Sequence, residues 1–158
     1  MIEFPPTIIL RHRRENLKKC SLTGLSEKQR PDFLFFTYPK DPLPDLSGYL
    51  MLKVGAPPLS PDDGARGLFA IDGTWRLAEK MERSLTQTLS TRSLPGSFRT
   101  AYPRRQTDCP NPEQGLSTLE AIYLAYRALG RDSEGLLDHY YWKDLFLEYN
   151  QCVLATTP

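Results

Sequence analysis

Apolar and polar positions alternate differently in the two halves of the chain. The first half carries short apolar runs at residues 7–11 (TIILR), 32–38 (DFLFFTY), 48–54 (GYLMLKV) and 67–72 (GLFAID). Runs of this length, rich in branched and aromatic side chains, predict strands. The last run is almost continuously apolar, which suits a parallel strand buried on both faces. Stretches such as FTYPKDPLPDLSG, GAPPLSPDDG and AYPRRQTDCPNPEQG separate these elements. Their prolines exclude helix interiors and central strands, so they read as loops.

The second half shows helical spacing. In TWRLAEKMERSL, Leu77, Ala78, Met81 and Leu85 fall on one side, with Thr74 available as N-cap. LSTLEAIYLAYRALG is the clearest element. Ser117 and Glu120 have the spacing of a capping box, and Leu119, Ile122, Tyr123, Tyr126 and Leu129 make one apolar stripe. Gly130 closes the helix. A last helix is expected over residues 133–149, with Tyr140, Tyr141, Trp142 and Phe146 as core packing. Strands early, helices late and a strand–turn–helix between them indicate the α/β class. Ligands of such sheets gather beyond the carboxyl ends of the strands, and Asp72 stands at one such end.

Composition narrows the class of partner. A net charge of +1 creates no global field, so a nucleic-acid partner must be read from local patches. Three scattered cysteines, Cys20, Cys109 and Cys152, fit neither a disulfide framework nor a zinc site and suit reduced thiols in the cytoplasm. No stretch approaches a membrane span, and the start lacks the order of a signal peptide. The glycine-rich nucleotide loops, the serine nucleophile elbow and the helical zinc motif are all missing. His12, set among arginines, and His139 are both isolated, which excludes a histidine-based triad as the leading reading.

Four stretches are left to carry chemistry. RHRRENLKKCSLTGL gathers Arg11, Arg13, Arg14, Lys18 and Lys19, either a solvated surface or a patch for a phosphate backbone. PPLSPDD is a rigid turn that can offer Leu59 and Pro61 as an apolar shelf. IDGTWRLAEKM places an acid and a large ring where a strand passes into a helix. There Asp72 or Thr74 caps and Trp75 fills core, or Asp72 and Trp75 meet a ligand. FRTAYPRRQTDCPNPEQGLSTLEA leads a basic loop (Arg99, Arg104, Arg105) into a capped helix, where Glu120 is better explained by capping than by catalysis.

In this order, NLKKCSLTGL, PLSPDD, IDGTWRLAEKM and GLSTLEA resemble the superfamily of RNA 3-amino-3-carboxypropyl (acp) transferases. It holds DTW-domain enzymes that modify a tRNA uridine and ribosome-biogenesis enzymes that modify a methylated pseudouridine of small-subunit rRNA. The resemblance implies an enzyme dependent on S-adenosylmethionine (SAM), with no metal and no membrane partner. It further implies a SPOUT-like fold with a C-terminal trefoil knot. Residues 1–66 would be a small N-terminal α/β part with the basic segment, and residues 67–158 the SPOUT-like SAM-binding part, as two parts or as one compact unit. By the same resemblance, the adenine cleft maps to Leu59, Pro61, Trp75, Leu94, Leu116 and Ala121. The ribose contact maps to Ser21, and cofactor-adjacent backbone to Ile71. Asp72 falls near the transferred chain, as a base or as a positioning group. Arg11, Arg13, Arg14, Lys18, Lys19, Arg99, Arg104 and Arg105 would hold the RNA.

Two departures bear on the target. The tyrosine that relatives carry shortly before the helix motif is replaced here, with Gln114 nearest, and the loop ahead of it is longer and more basic. KKCSLTGL and PLSPDD pull toward the rRNA branch, with tRNA as the alternative target. A non-catalytic RNA-binding or ribosome-assembly factor, and a methyltransferase on the same fold, are the rival readings.

Overall fold

In a computed structural model, the described residues are 4–12, 31–53, 55–73, 75–94, 98–101 and 116–156. They form five strands: β1 (Thr7–His12), β2 (Phe33–Tyr38), β3 (Tyr49–Leu52), β4 (Gly67–Asp72) and β5 (Ser90–Arg92). Four helices follow from mid-chain: α1 (Trp75–Arg83), α2 (Thr118–Leu129), α3 (Lys143–Tyr149) and α4 (Gln151–Thr156). A short 3-10 turn covers Pro61–Asp63.

All strands are parallel, in the order β2-β1-β4-β3-β5. The fold is therefore α/β, as the pattern of elements predicts. The central strands are apolar on both sides because helices cover both faces. Ile8, Leu10, Tyr49, Met51 and Phe69 face one way and pack with Met81 of α1. Ile9, Leu50 and Leu68 face the other way and pack with Leu119, Ile122, Ala125 and Tyr126 of α2. Strands from both sides of residue 66 share this sheet, with β4 lying between β1 and β3.

Helix α2 forms where its spacing predicts. Ser117 accepts from the Glu120 amide, the Glu120 side chain bonds back to the Ser117 amide, and Gly130 ends the helix at φ 75°. One strand is added and one expectation is corrected. β5 lies outside the apolar runs that predict strands, because an edge strand with one partner carries no such run. Of the helix expected over 133–149, only the second half forms, as α3, after turns that run to Trp142; α4 lies beyond the expected span. Gly135 adopts φ 83°, which a right-handed helix does not admit, and Asn150 separates α3 from α4. The aromatics divide accordingly: Tyr140 and Phe146 are buried, whereas Tyr141 is exposed.

Candidate active site at the carboxyl ends of the strands

Parallel strands bring their carboxyl ends to one edge. Strand β1 pairs with β4 so that Arg11 lies opposite Asp72. Alternation along each strand turns both side chains toward the α2 face, the side of Ile9 and Leu68. There Arg11 Nε donates to Asp72 Oδ2 at 3.3 Å. The Arg11 guanidinium also lies 5.0 Å from the centre of the Phe35 ring. From the first turn of α2, Thr118 donates its hydroxyl to Asp72 Oδ1 at 2.8 Å. Asp72 is buried, at 5% exposure, with each carboxylate oxygen accepting from a different element.

The apolar side of the site is assembled by the far edge of the sheet. The β3–β5 ladder continues as a bridge between Pro58 and Ser93, and the Leu59 amide donates to the Ser93 carbonyl at 2.8 Å. This sets the LSP stretch alongside the chain leading to Leu94. Leu59 is buried, and Leu94 and Leu116 pack against the same cluster. Helix α2 packs on the 3-10 turn and on β4, and its first turn meets the end of β4 through the Thr118–Asp72 bond. Arg92 fastens the turn from β5, its Nε 3.4 Å from Asp63 Oδ2.

The expected site residues thus fall into three groups. Leu59, Leu94, Leu116, Asp72 and the backbone of Ile71 come to this edge, with Ala121 half-buried on α2 and Pro61 exposed at the start of the turn. The Ile71 side chain points away, into the cluster beneath α1. Trp75 is the first residue of α1, but its side chain lies outside the described residues. So do Ser21, Thr74 and Gln114, and from the basic set Arg13, Arg14, Lys18, Lys19, Arg104 and Arg105.

Two placements differ from the sequence reading. Arg11 is not directed to solvent with a run of like charges; its side chain is 12% exposed and bonded to Asp72. His12 is a buried histidine whose ring lies 5.6 Å from that of Tyr38. Thr118 is the residue that sequence reasoning missed. One signal was available: Ser117 already caps α2, so a second hydroxyl at the first helical position has no capping task.

Glu120, in contrast, keeps a structural role. It is fully buried and accepts four bonds, from Thr100 Oγ1 (2.6 Å), the Ser117 amide (2.8 Å), the Ala101 amide (2.8 Å) and the Tyr140 hydroxyl (2.9 Å). Asn150 grips the same segment from behind, accepting from the Arg99 amide (2.7 Å) and donating to the Arg99 carbonyl (2.8 Å). The described end of the basic loop is held by these two side chains, while Arg99 itself projects outward and stacks over Tyr149 at 4.2 Å.

The family model of the DTW domain matches residues 4–144. The chain belongs to the DTW-domain family. A similar fold is seen in the SAM-dependent rRNA:acp-transferase Tsr3 from Vulcanisaeta distributa, at a TM-score of 0.71 and 22% identity over 98% of this chain and 83% of that one. Among curated proteins none matches the chain significantly. Within this DTW fold, the acid of the D-x-T-W motif and the threonine of the L-S-T-x-E-A motif share a hydrogen bond.

Proposed function

We propose that this chain transfers the 3-amino-3-carboxypropyl group of SAM to a uridine- or pseudouridine-type base of RNA. Small-subunit rRNA is the favoured target and tRNA the alternative. The observation that carries this reading is the meeting of the two motif halves at one strand edge: Asp72 bonded to Thr118, beside an apolar cluster containing Leu59, Leu94 and Leu116. The rRNA:acp-transferase with the similar fold supports the choice of reaction and of RNA class. The reading keeps a SPOUT-like knotted part after residue 66 and a cytoplasmic place of action.

The donor set fits the cofactor. Apolar side chains from three segments suit a flat adenine, and a strand-end carboxylate suits a cationic centre. When bound, SAM supplies a carbon chain activated by a positively charged sulfur. The residues would hold SAM so that the bond from its sulfur to the acp carbon breaks as that carbon bonds to a ring nitrogen of the base, with methylthioadenosine as the leaving group and the nitrogen's proton passing to water. The enzyme's task is to present this carbon, rather than the methyl, at near-attack distance, about 3–3.5 Å. Leu59, Leu94, Leu116, Pro61, Ala121 and Trp75 would fix the adenine, Ser21 the ribose and the Ile71 backbone the adjoining atoms. Asp72, with both oxygens already accepting, is suited to holding the reacting chain in place. Arg99 would hold the RNA backbone together with Arg13, Arg14, Lys18, Lys19, Arg104 and Arg105.

Incubation with SAM and bulk RNA, followed by nucleoside mass spectrometry, tests the reading. An added acp group on a uridine-type nucleoside is expected. Methyl addition would replace the reading with methyl transfer, and SAM binding without any modified nucleoside would favour an assembly factor. Comparing rRNA with tRNA fractions separates the two targets.

A further inference from the structure

We infer that Arg11 and Thr118 are positioning residues for Asp72, and that Arg11 belongs to the reaction centre rather than to the RNA-backbone contacts. The inference rests on the proposed function and deepens it. By sequence Arg11 is one of a run of basic residues, the usual composition of a phosphate patch. Its surroundings are of another kind. It lies opposite Asp72 in the β1–β4 register, its side chain is almost enclosed, and its Nε donates to Asp72 Oδ2. The Phe35 ring beneath the guanidinium limits the planes it can adopt. A phosphate hook needs a mobile cation in solvent, whereas this one is fixed to a buried acid.

Thr118 completes the arrangement from the other side of the site. Because it occupies the first turn of α2, its bond to Asp72 Oδ1 sets where that helix begins relative to β4. Leu116 and Ala121 flank the same turn, so the group that holds the acid also sets two walls of the apolar cleft. Donors on two elements aim the two oxygens of Asp72 and leave its carboxylate little rotational freedom. Positioning of this kind acts on the rate through geometry, and small misplacements are costly.

The experiment uses the full chain and the variants Arg11→Gln, Thr118→Val and Thr118→Ser. Binding of a fluorescein-labelled 20-nucleotide single-stranded RNA is measured by anisotropy across a salt series. Arg11→Gln is expected to leave affinity and salt slope unchanged. A slope reduced by about one, with weaker binding, makes Arg11 a phosphate contact and overturns the inference. Thermal melting of Arg11→Gln, Asp72→Asn and the double variant is expected to show non-additive losses; additive losses overturn the pairing. Single-turnover rates at saturating SAM and RNA should fall roughly a hundredfold for Thr118→Val. Thr118→Ser, which keeps the hydroxyl, should restore most of the rate, and failure of that rescue counts against the hydroxyl. If the wild-type chain forms no acp-nucleoside, the proposed reaction fails, while the salt and melting series still decide the place of Arg11.

Discussion

Thr100 donates its hydroxyl to Glu120 Oε1 at 2.6 Å, and through this bond the segment before the basic loop is fastened to the start of α2. Both oxygens of Glu120 also face a backbone N–H, from Ser117 on one side and Ala101 on the other. In Glu120→Gln an amide NH2 must confront one of these donors whichever way the side chain turns. A buried donor without an acceptor costs about 1–3 kcal/mol. The urea midpoint should fall accordingly with the denaturant slope unchanged. A midpoint equal to the parent's would mean the segment is held by other contacts.

Asn150 makes the complementary grip. In Asn150→Ala the Arg99 amide and carbonyl lose their partners. Hydrogen exchange at the Arg99 amide should accelerate about fivefold, matching the loss of a bond worth about 1 kcal/mol, while amides in β1 and β4 keep their protection. Uniform acceleration across the sheet would instead show that Asn150 supports the whole fold.

Gly67 lies under the Tyr49 ring. A Cβ at this position would stand 2.6 Å from Tyr49 Cζ, a distance that packed carbon atoms do not tolerate. Tyr49 cannot move freely because its hydroxyl donates to the Pro6 carbonyl at 2.7 Å. Gly67→Ala should therefore cost about 1–3 kcal/mol, the usual range for overpacking, read as a lower melting temperature. The companion Tyr49→Leu with Gly67→Ala should recover part of it, and no recovery would place the strain elsewhere.

Asp72→Asn keeps the size of the side chain and one acceptor oxygen. SAM affinity by calorimetry should change less than the single-turnover rate, which should fall roughly a hundredfold. An unchanged rate removes Asp72 from the reaction centre. Trp75→Ala should weaken SAM binding; if affinity is retained, the indole is ordinary core.

Arg99 is exposed and opens the basic loop. Arg99→Ala should weaken RNA binding to a similar degree whatever the base sequence, and lower the salt slope by about one. A sequence-dependent loss would instead assign Arg99 to base recognition.

How far these properties were legible in the sequence differs by element. Strand β4 and helix α2 were readable because their signals are local: an unbroken apolar run, a serine and glutamate three apart, a closing glycine. β5 was not, since Ser-Thr-Arg at a sheet edge looks like any polar loop. The non-helical first half of the expected last helix includes Gly135, whose backbone angle outweighs helical spacing. Within the site, family motifs supplied the acid and the apolar walls. The Asp72–Thr118 bond spans 46 positions and exists only through the docking of α2 on β4. Arg11 looked like its charged neighbours until strand register put it opposite an acid.

The strand nearest the amino terminus is an interior strand of the sheet, lying between β2 and β4. During synthesis β1 emerges first, yet its second neighbour arrives only with Gly67–Asp72. Until then its β4-facing ladder edge has no native mate. The sheet cannot grow strand by strand in chain order: β3 has only later strands, β4 and β5, as neighbours, and β1 joins β3 only through β4. Pairing over such separations is slow and leaves unpaired edges available to other chains. Expression yield should therefore respond more to how fast residues 13–66 are translated than to changes at the carboxyl terminus.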